Sequence, residues 1–200
     1  MVNLWDELIS GNKNYYILLI AVVISLTGTL WVWKTSWKYY GRVYGIAASV
    51  GTIICGLFVA LGYYKFDSLL FPVLKIPVSL LLTLFPFYVL FGVKYSPKPW
   101  PWKIPYYWGI VHVGVFFETM LVQFTDIIQF KSKWDIWDSY TWWWIFLLVF
   151  EYVGGLCVPE QYRRPLDKRL FHFGRTGWLL LHFILILTIF MAGYYVGKYS

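Results

Sequence analysis

Six stretches of about 20 mostly apolar residues fill most of this chain, and each is long enough for a helix to cross a lipid bilayer. They run from Tyr15 to Trp33, Val43 to Tyr64, Ser68 to Val93, Pro105 to Phe124, Ser139 to Val158 and Thr176 to Val196. Hydrocarbon offers no hydrogen-bond partner to a bare peptide group, so such stretches span as helices. What is left between them is short. Only 14% of residues are charged and 60% are hydrophobic, against about a quarter and a half in a soluble domain. The expected fold is therefore all-α: one polytopic transmembrane helical bundle over residues 1–200, with no soluble domain.

The basic residues fix the expected orientation. The net charge of +7 does not point to nucleic acid, because the cations form no single patch. Three alternate loops hold Lys34, Lys38 and Arg42; Lys94, Lys98 and Lys103; and Arg163, Arg164, Lys168, Arg169 and Arg175. The other side holds Lys13, Lys65, Lys131, Lys133 and Lys198. Eleven against five, alternating loop by loop, places the basic loops in the cytoplasm and both termini outside. Gaining or losing one span would break that alternation. Membrane lipids are thus the first expected partner, since anionic headgroups attract such loops. The loop Pro159 to Arg175 is expected to rest on headgroups with Tyr162, Phe171 and Phe173 dipping inward; a partner's acidic surface is the alternative.

Local signals agree. Asp6, Glu7 and a single Lys in the first 14 residues do not make the basic start of a cleavable signal peptide. Asp138 and Ser139 can cap the helix that opens span five. Pro105 suits a first helical turn. Pro72, Pro77 and Pro86 interrupt span three, which is therefore expected inside the bundle, where neighbours can satisfy the freed carbonyls. The tryptophans from Trp134 to Trp144 suit an interfacial belt. Asp135 and Asp138, three apart, read as a solvated face with a cap, or as a cation site. Cys55 and Cys157 read as small buried hydrophobes rather than a disulfide.

Ionisable groups at membrane depth are costly and mark sites. Here they are Lys75, His112, Glu118, Glu151 and His182, with Asp67 at the outer lip of span three. Counting helical rise puts Lys75 and Glu118 at one level, about 10 Å below the outer edge, and predicts that they pair. Glu151, His112 and His182 fall deeper, roughly 18–22 Å down, and predict a Glu151–histidine hydrogen bond. A metal held by these three is an alternative without a ligand signature. Ser79 and Thr83 extend a polar stripe from Lys75. Gly114, Gly154 and Gly155, near the carboxylates, suit close helix contacts. Such pairs serve either to fix helix packing or to bind and move an ion, proton or small polar solute.

No phosphate-cradling loop, nucleophile elbow, zinc-protease helix or paired-cysteine motif is present, and no cofactor is implied. That argues against a cytosolic type of catalytic module, though not against an intramembrane enzyme.

Several short motifs carry a resemblance: Phe66-Asp67 followed by Phe71-Pro72, then Phe117-Glu118-Thr119, Thr125-Asp126-Ile127-Ile128, and the run Tyr140-Thr141-Trp142-Trp143-Trp144. Over about residues 67–151 the chain resembles a family of small, uncharacterised multi-span membrane proteins of spore-forming Firmicutes. The resemblance implies a helical bundle in a bacterial cell membrane and supplies no activity. The basic loop and the final span depart from the family pattern. Three functions stay open. The first is passage or binding of a small solute or ion along a polar track of Lys75, Glu118 and Glu151, by one chain or a homo-oligomer. The second is a non-transporting assembly or scaffold subunit with a membrane-complex partner. The third is a lipid-modifying enzyme.

Overall fold

The computed structural model describes residues 4–67, 69–70, 75–131, 134–167, 169 and 174–199. The helices are α1 (Leu4–Trp33), α2 (Trp37–Ala60), α3 (Val78–Leu82), α4 (Leu84–Tyr95), α5 (Trp100–Phe124), α6 (Ile136–Cys157) and α7 (Gly174–Tyr199). A short 3₁₀ turn covers Glu160–Tyr162. Two two-residue strands, β1 (Tyr64–Lys65) and β2 (Gln129–Phe130), pair antiparallel, Tyr64 opposite Phe130. The chain is an all-α helical bundle and an integral membrane protein. Among the described residues five helical segments are long and apolar enough to cross a bilayer: Lys13–Trp33, Trp37–Ala60, Val78–Tyr95, Ile136–Cys157 and Gly174–Met191.

The remaining long helix, α5, carries Lys103, His112, Glu118 and Gln123, which lower its hydropathy. It nevertheless runs beside α6 along nearly its whole length. Near one end its Lys103 meets Glu151, and near the other its Glu118 meets Ser139. Its 25 residues rise roughly 37 Å, more than a hydrocarbon core of about 30 Å. In length α5 thus matches its neighbour, while its polar residues set it apart from the five apolar segments.

Each crossing helix turns one stripe inward. In α2 the buried stripe is Tyr40, Val43, Ala47, Ala48, Gly51 and Phe58, and in α6 it is Phe146, Leu147, Phe150, Glu151 and Gly154. These recur at three and four residues, the spacing of one helical face. The outward faces are as apolar as the core: Leu156, Ile189 and Ile53 are 73%, 70% and 69% exposed. Water would not tolerate such continuous apolar surface, and lipid does.

The span made of α3 and α4 is the most buried of the five, as the prolines led one to expect. It packs against α1, α2 and α6. Glycines make room for it on two sides. A Cβ on Gly28 of α1 would stand 2.2 Å from the Phe87 ring, and one on Gly154 of α6 would stand 2.5 Å from Val93. Here glycine is required by closeness rather than by backbone angle.

Three boundaries differ from the sequence reading. The span expected from Ser68 begins at Val78, because Pro77 cannot donate a backbone hydrogen bond and sits at the N-cap of α3. Ser68, Phe71 and Pro72 lie outside the described residues. Helix α5 opens at Trp100, with Pro101 rather than Pro105 in its first turn, so Lys103 lies inside the helix. Helix α6 opens at Ile136. Its cap is Asp135, whose carboxylate accepts from the backbone of Trp137 and Asp138 while Asp138 answers the Asp135 amide. This reciprocal box uses both aspartates as a cap.

The ends of the bundle are distinct. The three basic loops meet at one end. There Lys94 donates to Thr35 Oγ1 at 2.8 Å, the Arg164 amide donates to the Lys94 carbonyl, and Tyr40 Oη donates to the Tyr162 carbonyl. The β1–β2 ladder closes the opposite end, and the chain reaches it from α2 through Gly62 at φ 77°.

Candidate functional site

Two carboxylates are held between α5 and α6, one near each end of the bundle. Glu151 lies at the basic end and is 2% exposed. Its Oε1 receives Lys103 Nζ and Arg163 Nη1, the latter at 3.2 Å, and its Oε2 receives Tyr107 Oη at 2.7 Å. Lys103 and Tyr107 stand one turn apart on α5, so they face α6 together. Arg163 arrives from the residue that follows the 3₁₀ turn. Two cations thus share one buried carboxylate, leaving an excess of one positive charge. Lys103 Nζ also sits 4.9 Å from the Trp100 ring centre, within cation–π reach. Beside this knot Lys98 and Glu160 pair at 2.8 Å on the surface, and the Lys98 hydrogen bond, followed by its charge, lowers the Glu160 pKa from its ordinary value.

Glu118 has a different environment. Its Oε1 accepts from Tyr64 Oη at 3.2 Å and Ser139 Oγ at 3.1 Å, and its Oε2 accepts from Trp143 Nε1 at 2.8 Å. Trp134 Nε1 donates to Ser139 Oγ at 3.0 Å, which extends the network toward the loop. Rings enclose it: Trp134 stacks on Tyr63 at 5.0 Å and Trp143 on Phe85 at 5.0 Å. No described cation is within ion-pair distance of Glu118. Every donor to it is neutral.

The expected pairs do not form. Lys75 lies in the exposed bend ahead of α3, not within a helix, and does not meet Glu118. Depth counting assumed a helical rise that Pro77 forbids. Glu151 does not meet a histidine. His112 Nδ1 bonds the Trp108 carbonyl and His182 Nδ1 bonds the Trp178 carbonyl, each at 2.8 Å and each one turn back on its own helix. His182 stacks on Trp178 at 3.8 Å. The alternative of a metal between Glu151, His112 and His182 fails for the same reason. Among the described residues no three His, Cys, Asp or Glu side chains converge. Asp67 pairs with Lys65 near the β1 end of the bundle. Thr83 Oγ1 returns to the Ser79 carbonyl at 2.7 Å, so this part of the expected stripe is spent on the backbone break between α3 and α4. Phe171, Phe173 and Lys168 lie outside the described residues.

Sequence reasoning missed Lys103, Tyr107 and Arg163 as partners of Glu151, and Tyr64 and Trp143 as partners of Glu118. The spacing of Lys103 and Tyr107 was a usable signal. Trp134 and Trp143 turn inward as donors rather than standing only in a belt. His112 does open on a cavity of about 560 Å³ between α5, α6 and α7, lined also by Val115, Tyr140, Leu187 and Met191.

Between the two carboxylates lies an apolar layer. Val111 and Val115 of α5, Phe146, Leu147 and Phe150 of α6, and Val89 and Leu90 of α4 are all buried in one cluster. Of the polar side chains packed against this cluster, Tyr88 spends its hydroxyl on the Ile110 carbonyl at 3.0 Å.

No protein-family model matches this chain, and no curated protein and no solved structure matches it.

Proposed function

We propose that this multi-pass protein is a non-transporting assembly or scaffold subunit of a bacterial cell membrane, with its basic end in the cytoplasm and both termini outside. The apolar layer between Glu118 and Glu151 carries the reading. A transport track needs polar groups in succession across the hydrocarbon, and here the two knots are separated by close-packed valine, leucine and phenylalanine. Each knot instead joins α5 to α6, so the polar groups act on helix arrangement. The bacterial membrane rests on the resemblance over residues 67–151 and on the basic loops. Helix α7 shows no buried residue in its spanning window and offers lipid or a partner helix an apolar surface. The partner of such a subunit is a helix of another membrane protein or of a second copy.

The test is flux. Purified protein in proteoliposomes loaded with pH-, sodium- or potassium-sensitive dyes is expected to pass no more of each ion than empty vesicles. A protein-dependent flux that falls in Glu118→Gln would overturn the scaffold reading and restore the polar track.

A further inference from the structure

Arg163 has an unused edge. Its Nη1 is taken by Glu151, but Nε and Nη2 are buried and have no acceptor. These two groups form the side of the guanidinium that grips two oxygens of one carboxylate or phosphate. A buried N–H without a partner is costly, more so when charged, so native folds rarely leave one empty. The surroundings select the kind of acceptor. Lys98, Lys103 and Arg163 face only Glu151 and Glu160, and Lys94 and Arg164 stand near each other with no ion-pair partner among the described carboxylates. The local excess is positive, so an anion fits better than water. The cover over this buried edge is thinnest at one point, where a small shift of the guanidinium would bring it to the surface. Gly155 on α6 is exposed and bare, and a Cβ placed there would stand 3.9 Å from Nη2. The level matches a headgroup: Trp31 and Trp100 lie under Lys94 and Lys103 at 4.7 and 4.9 Å, and rings of this kind gather where headgroups meet acyl chains.

We propose that the free edge of Arg163, reached over Gly155, is a phosphate site for an anionic phospholipid headgroup. It deepens the scaffold reading and rests on its placement of the basic end at the headgroup layer. The site would fasten the loop after α6 to the bilayer, and through Glu151 it would fasten α5 and α6 as well.

The experiment uses the full-length protein in neutral detergent, its thermal unfolding followed while phosphatidylglycerol, phosphatidylcholine or inorganic phosphate is added. Phosphatidylglycerol is expected to raise the midpoint and phosphatidylcholine is not. Arg163→Lys keeps a cation for Glu151 but loses the fork, and its apparent affinity for phosphatidylglycerol should fall about tenfold. Gly155→Leu fills the approach without touching the ion pairs and should give the same loss with the lipid-free midpoint unchanged. If Arg163→Lys does not fold, Gly155→Leu decides. A midpoint rise with inorganic phosphate alone keeps the site and makes its ligand the free anion. Equal response to the two lipids, or wild-type affinity in the folded variants, overturns the proposal. Flux in the proteoliposome test would remove the scaffold reading while leaving this lipid response intact, so the two failures are told apart.

Discussion

Glu118 and Glu151 lie on neighbouring helices, yet they are stabilised by opposite means. Glu151 is held by two cations and a phenol, Glu118 by two hydroxyls and an indole. The first arrangement has no close substitute: removing the carboxylate leaves two buried cations with only the exposed Glu160 nearby. The second is adaptable, because hydroxyls both give and accept hydrogen bonds. The same residue type in two places thus teaches that a buried carboxylate is defined by its donors.

The contrast can be broken by substitution. Glu151→Gln should be the most damaging change, with a loss of about 3–5 kcal/mol, the usual cost of orphaning a buried ion pair. Equilibrium unfolding in detergent measures it, and a loss under about 1 kcal/mol would erase the distinction between the knots. Glu118→Gln should cost less than about 1 kcal/mol by the same measurement. Its amide oxygen takes the Trp143 donor while its amino group turns to Ser139 and Tyr64. Glu160→Gln should leave the midpoint unchanged at pH 7, because Lys98 and Glu160 are both largely exposed and water screens them. The sign of the pH effect is still fixed. The folded-state pKa of Glu160 is lowered, so any contribution is present above the ordinary carboxylate pKa of about 4.3 and is lost as pH falls through the folded value. Midpoints of wild type and Glu160→Gln measured from pH 7 to pH 5 should therefore run parallel.

The crossings were legible in the amino-acid sequence because a bilayer imposes length and apolarity on every span and sorts the cations between them. The gathering of three basic loops at one end followed from the same alternation. The partners of the carboxylates were not legible. Depth along a helix follows from counting residues, but the direction a side chain faces depends on where the helix starts. Reading Pro105 as the first turn of α5 sent Lys103 into a loop, although Pro101 was the equally valid start. Reading Lys75 as helical carried it past a proline into the bilayer. Level alone pairs the histidines with Glu151, whereas each has a nearer acceptor in the carbonyl one turn back.

The position of Lys103 in the chain bears on how the bundle is made. Lys103 precedes Glu151 by 48 residues, and Arg163 follows it by 12. During synthesis the first counter-charge is already in place when α6 leaves the ribosome, and the second emerges shortly behind it. Glu151 thus has company on entering the hydrocarbon and need not be inserted as a solitary anion. Moving Lys103 to the far side of α6 in a permuted chain would keep every native contact and yet burden the nascent protein.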